Sequence, residues 1–362
     1  MTDIVTENTV RQAPKRRLPD FGRRNEKIVA GLSIAPGQLL MFFIVAFPAA
    51  VAIYIGFTEW TPTSGDNVWG AYHYWHWFDG YWEALTSGSF WHAMWLTVWF
   101  MLVAVSVEFL IGFALALLFL KEFRGRGPLT LFFLLPMMVV PAVSGFIFFM
   151  IFQVDGPLNQ FLAAIVGHDV AIHWLDDPGL VMWSAITVDI WQWTPLMFLI
   201  LLSGLVALPE DQLNQARILG ASFWHRFRYL MLPMLWPIIL IAIIIRSIEV
   251  FKVFDAPFLL TGGGPGEAST TISIWMYREV IINSRWGFAS AAAIIVLIIV
   301  SFAGLFAVRP IEQAQEETME ELIGGDAGGA DDARLEDAAS IEIRPVISGG
   351  SLDTPPRVGT RP

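Results

Sequence analysis

The sequence predicts an all-α membrane protein of six transmembrane helices with both termini cytoplasmic, and three observations carry that reading. Of 362 residues, 55% are hydrophobic and 15% charged, with 28 Phe and 16 Trp, an apolar share above that of a soluble domain. Six apolar stretches (29–58, 94–120, 129–153, 181–207, 234–254 and 288–309) each reach the roughly 20 residues a helix needs to cross a bilayer. Lys and Arg are concentrated in alternate connections, which fixes an orientation.

Taken in order, residues 1–28 form a polar tail carrying Arg11, Lys15, Arg16, Arg17, Arg23, Arg24 and Lys27, read as disordered and cytoplasmic. The first stretch is too long for a secretory signal and lacks a small-x-small cleavage site, so it is read as a retained span. Each span is expected to be helical, because hydrocarbon offers no partner to an open backbone. Pro36, Pro48, Pro136, Pro141 and Pro195 are expected to kink these helices. The connections at 59–93 and 154–180 contain no Lys or Arg and are placed outside. Those holding Lys121, Arg124 and Arg126, and Arg217, Arg226 and Arg228, are placed inside. The fifth connection carries Arg278 and Arg285, and parity alone puts it outside. The transmembrane domain is therefore 29–311, followed by an acidic, disordered cytoplasmic tail over 312–362 that holds much of the net charge of −11.

Composition also excludes chemistry. With no Cys there is no disulfide, thiolate metal site or thiol nucleophile. His73 and His76 offer two ligands and lack a third, so no metal is expected. The outer aromatics, among them Trp60, Trp69, Tyr72, Trp77 and Trp82, read as an interfacial belt, with stacking on sugar rings as the alternative. No basic, aromatic-interleaved surface suits nucleic acid.

The connection at 208–236 carries its own pattern. Leu213, Ala216 and Arg217 stand at helical spacing, Gly220-Ala221 breaks the run, and an amphipathic segment follows to Leu232-Pro233. This arrangement resembles the cytoplasmic signature of binding-protein-dependent ABC importer permeases: Glu-Ala-Ala, three residues, Gly, then about eleven residues to Leu-Pro. The matching positions are Asn214-Gln215-Ala216, Gly220-Ala221 and Leu232-Pro233. Asn214 stands where the family carries Glu, Gln215 where it carries Ala, and Leu219 where many members carry Asp, so these positions offer no charged contact to an ATPase, although Asn214 can donate or accept a hydrogen bond. Ile190-Trp191-Gln192-Trp193-Thr194-Pro195, running on to Leu205–Pro209, and Val253-Phe254-Asp255 followed by Leu260–Pro265 resemble the carbohydrate branch. The resemblance spans roughly 30–310.

It implies an ABC importer permease domain in a bacterial inner membrane, importing a sugar or polyol by alternating access. Its implied partners are a second permease subunit, a cytoplasmic ATPase homodimer and a periplasmic solute-binding protein. It also implies a coupling helix near Leu213–Leu219, with Asn214, Gln215, Ala216, Arg217, Gly220, Ala221, Leu232 and Pro233 forming the coupling element and Leu213, Ala216 and Leu219 or Gly220 its apolar anchors. ATP and Mg belong to the partner ATPase and no cofactor to this chain, since Thr261–Pro265 is Gly-rich but no Lys-Ser/Thr follows.

Charges inside the spans mark function by default. Arg246, Glu249 and Lys252 share a face of the fifth span, at three-residue steps of roughly −60°. Asp189 and Arg246 both lie about 18 Å above the cytoplasmic edge, counting 1.5 Å per residue. Asp189, Gln192 and Trp193 share a helical face. These six are the candidate solute-binding residues, expected to meet at one depth. The bland alternative is an Arg246–Glu249 ion pair serving assembly. Glu108 is read as a structural acid nearer the cytoplasm. A rival function is an ion-coupled secondary transporter using Asp189 or Glu249; an embedded enzyme finds no acid–base constellation among six scattered His.

Overall fold

The computed structural model describes the backbone of residues 21–306 and the side chains of 33–306. The expected tail at 312–362 lies outside these residues, as do the first twenty. Among the described residues the chain is helical without strands, save one isolated antiparallel bridge between Thr58 and Trp75. In chain order the helices are α1 (Phe21–Gly56), α2 (Asp79–Thr86), α3 (Gly88–Phe119), α4 (Arg126–Leu134), α5 (Pro141–Ile151), α6 (Pro157–Val166) and α7 (Val181–Val206). After them come α8 (Glu210–Ile218), α9 (Phe223–Arg226), α10 (Leu232–Phe251), α11 (Asp255–Thr261), α12 (Ile272–Tyr277) and α13 (Trp286–Phe306).

Five helical runs are long and apolar enough to span a membrane: 33–56 within α1, α3, α7, the continuous 223–251 and α13. The third expected span is instead two short helices, α4 and α5, joined by a 3-10 turn at Pro136–Met138. Its prolines break the helix rather than kink it: Pro136 opens the 3-10 turn and Pro141 opens α5, each where its missing N–H is not needed. Pro36, Pro48 and Pro195 do lie inside helices. The first helix starts at Phe21, ahead of the apolar boundary at 29, so Arg23, Arg24 and Lys27 belong to a helix rather than to a disordered tail.

The main core lies among α3, α7, α10 and α11, with Phe100, Phe198, Leu201, Leu235 and Leu260 fully buried. Association in lipid depends on close backbone approach through small residues. At Gly112 of α3, an added Cβ would meet Met197 Cβ and Cγ of α7 at 3.0 Å; at Gly145 of α5 it would meet the Ala256 carbonyl oxygen of α11 at 2.6 Å. Among the described side chains of α1, Leu40, Met41, Phe42 and Phe43 are exposed and the last turns are packed, around Ile55.

The first connection is folded rather than loose. Trp60, expected in an interfacial belt, is 4% exposed, donates to the Asp66 carbonyl at 3.1 Å and packs edge-on against Trp286. Trp69, Tyr72, Trp77 and Trp82 do remain exposed. Arg285 of the fifth connection bonds both oxygens of Glu83, at 2.5 and 2.6 Å, and its guanidinium lies over the Phe288 ring at 4.0 Å. The first and fifth connections therefore share one end of the bundle.

Candidate functional site

Two sites matter, one in the bundle and one at the connection between α7 and α10. In the bundle, α10 delivers Arg246 to the centre of the core at 1% exposure. Its Nε donates to Glu108 Oε2 at 2.7 Å, and its Nη2 to Glu108 Oε1 and Asp189 Oδ2, both at 2.9 Å. The Glu108 pair is the two-pronged guanidinium–carboxylate geometry that a Lys cannot make. Trp193 closes one side of the guanidinium, with its ring 5.0 Å from Cζ. Glu108 is 0% and Asp189 4% exposed, so the cluster ties α3, α7 and α10 together where hydrocarbon would not solvate an isolated charge.

This corrects two expectations. Arg246 does not pair with Glu249 on its own helix; its partners come from α3 and α7, and Glu249 bonds Lys252 Nζ at 2.9 Å instead. Glu108 does not lie apart from the Arg246 level. The first turns of α3, with Phe90, Ala93 and Met94, are buried against Ile272, Trp275 and Phe288.

Around the cluster lies a cavity of about 280 Å³, just under the usual size range of small-molecule sites. Asp189, Gln192, Trp193, Arg246, Glu249 and Lys252 all line it, joined by Pro141 and the segment Val253–Ala256. Gln192 is 1% exposed and its Nε2 donates at 2.7 Å to the carbonyl of Val139, in the break between α4 and α5. Its amide therefore holds the broken span, which leaves its oxygen and its second N–H free of that bond. Glu249 and Lys252 are the open members, their side chains 41% and 65% exposed. Asp255, in the first turn of α11, is a lining residue that periodicity could not supply, because the chain leaves the helix at Lys252.

Above this site runs the Gly-rich segment after α11. Arg278 holds it, donating to the Gly262 carbonyl at 2.7 Å and to Thr270 Oγ1 at 3.2 Å, while Ser269 Oγ donates to the Gly264 carbonyl at 2.7 Å. Arg278 and Arg285 thus both have partners within the chain.

At the α7–α10 connection, α8 ends in a Schellman motif: Gly220 sits at φ +85°, its N–H reaches the Arg217 carbonyl at 3.1 Å, and the Ala221 N–H reaches the Ala216 carbonyl at 3.0 Å. Ser222 caps α9, accepting from the His225 N–H at 3.3 Å. A π turn at Phe227–Met231 then leads into α10, with Leu232 and Pro233 at its start. Asn214, Gln215 and Arg217 are exposed. The expected anchors Leu213 and Ala216 turn inward, Leu213 packing on the main core. The apolar pair offered outward is Ile218 and Leu219, at 85% and 87% exposure, with Ile218 absent from the expected set. Among the described residues no group of three His, Asp or Glu is placed to hold a metal. His73 lies 3.3 Å from Asp66, and His76 lies 3.6 Å from Glu59 and 3.7 Å from Asp79.

The chain is 34% identical over 220 residues to the trehalose/maltose transport system permease protein MalF of Thermococcus litoralis, covering 61% of this chain and 74% of that one. It is 29% identical over 297 residues to the sulfoquinovosyl glycerol transport system permease protein SmoG of Agrobacterium fabrum, covering 80% and 94%. The fold matches the crystal structure of a bacterial ABC transporter involved in the import of the acidic polysaccharide alginate, with a TM-score of 0.66 over 81% of this chain and 98% of that one at 18% identity. Residues 108–315 match the family described as the binding-protein-dependent transport system inner membrane component. With that match over more than half its length and helices built to span a bilayer, the chain is a multi-pass membrane protein of the binding-protein-dependent permease family.

Proposed function

We propose that this chain is one permease subunit of an ATP-driven importer that moves a sugar or polyol from periplasm to cytoplasm by alternating access. It works beside a second permease, above two ATPase subunits that hold ATP and Mg, and below a binding protein that delivers solute. The observation that carries the solute reading is the cavity, where Gln192, Glu249, Lys252 and Asp255 set hydrogen-bonding groups around the wall formed by Trp193. Relatives named for trehalose, maltose and sulfoquinovosyl glycerol transport support the carbohydrate assignment.

The coupling element rests on continuity. Helix α8 offers Ile218 and Leu219 outward; the Gly220 turn redirects the chain; and from Phe223 one helical run of 29 residues, about 44 Å at 1.5 Å per residue, reaches the cavity and Arg246. An ATPase that moves α8 would therefore move one wall of the cavity, shifting populations between inward- and outward-open states. In proteoliposomes holding the full complex, Gly220→Pro is expected to keep ATP hydrolysis while uptake stops, and unchanged uptake refutes the coupling role. Glu249→Gln is expected to raise the solute concentration for half-maximal uptake about tenfold, roughly one lost charge-assisted hydrogen bond. An unshifted concentration removes the cavity from the transport path.

A further inference from the structure

The charges around the cavity do more than offer hydrogen bonds. The cations among its described residues are Arg246 and Lys252. Arg246 is already met by two buried carboxylates, Glu108 and Asp189, and covered on one side by Trp193. Lys252 is met by Glu249 at 2.9 Å. Asp255, which also lines the cavity, has no basic partner among the described residues. Three carboxylates, Asp189, Glu249 and Asp255, thus line the cavity against two cations, with Glu108 buried behind Arg246, so the lining is net negative.

We infer that this permease takes an uncharged, hydroxyl-rich solute and rejects carbohydrates carrying a carboxylate or sulfonate. The inference rests on the reading of this cavity as the solute path. An anionic sugar entering it would have to draw Lys252 from Glu249 or Arg246 from its buried pair, and either step leaves a carboxylate facing the anion, in the second case at low dielectric. A neutral sugar needs neither. Its hydroxyls can donate to Glu249 and Asp255 and accept from Lys252 without displacing a charge, and the Trp193 ring offers an apolar wall to a ring face. The selectivity thereby separates this chain from transport systems for acidic glycans while leaving its fold the same as theirs.

The test uses the assembled complex in nanodiscs without binding protein, so that the permease alone discriminates. Maltose and trehalose are titrated against their C6-carboxylate derivatives, with binding followed by saturation-transfer NMR. The wild-type complex is expected to favour the neutral member of each pair at least tenfold. Glu249→Gln frees Lys252 and is expected to strengthen carboxylate binding itself about tenfold, a gain separate from the weaker binding of neutral sugars in that variant. Carboxylates that bind the wild type as well as the neutral sugars do overturn the selectivity while leaving the cavity reading standing. If no sugar of either charge binds the wild type or the variant, the cavity is not a solute site and the parent reading falls with the inference.

Discussion

Arg246 donates to Glu108 and Asp189, so α3, α7 and α10 each contribute one charge to a cluster that lipid would not solvate. Removing the cation strands two carboxylates against each other, which costs about 3–5 kcal/mol for a buried pair. Arg246→Ala is therefore expected to give no assembled complex. Arg246→Lys keeps the charge but not the two-pronged geometry and is expected to lower the melting temperature. Glu108→Gln leaves one cation against one anion and is expected to fold with a smaller loss. Thermal melts of the detergent-purified complex rank the three, and an Arg246→Ala complex that melts like the wild type would show that the cluster is not structural. Periodicity alone aligned Asp189, Gln192 and Trp193, since i, i+3 and i+4 of one helix must share a face. It could not pair Arg246 with Glu108, because that contact spans 138 residues and local spacing favours the i+3 acid Glu249.

At the scale of elements, α8 shows how far a short motif reaches. Its ending was legible because a Schellman motif demands a left-handed residue, and Gly220 stands at φ +85°. Open space surrounds Gly220, so a side chain there would clash with nothing and pay only for the backbone, about 1 kcal/mol. Which apolar residues point outward was not legible: the stretch is too polar for its period to choose a face, and packing of Leu213 against the core decides it. Ile218→Ser with Leu219→Ser is expected to lower co-purification of the ATPase at least tenfold while the permease itself melts unchanged, since neither side chain packs within this chain. Full ATPase recovery would move the docking contact elsewhere. The third span misled for a related reason: hydropathy averages over the Pro136–Pro141 break, whereas the backbone there needs the Gln192 amide to satisfy Val139.

The whole molecule has two ends, and the internal contacts sort its connections between them. Trp60 on Trp286 and Glu83 on Arg285 hold the first and fifth connections at one end. Phe152 packs against Trp174 where α5 hands over to the third connection, which meets the start of α7 through Ser184. The start of α10 reaches the other end, with Phe227 on Phe113 deep along α3. The absence of Lys and Arg from 59–93 and 154–180 predicts that the first end faces the periplasm. Because the chain has no Cys, single cysteines report sidedness without background. Thr63→Cys, Asp169→Cys and Glu267→Cys are exposed positions on the first, third and fifth connections, while Glu122→Cys and Gln212→Cys are exposed on the second and fourth. A membrane-impermeant maleimide applied to spheroplasts is expected to label the first three and spare the last two until the membrane is opened. Labelling of Glu267→Cys with the cytoplasmic pair would break the parity of the spans and require α11, α12 and their loop to cross the bilayer, whereas labelling of Glu122→Cys from outside would invert the whole protein.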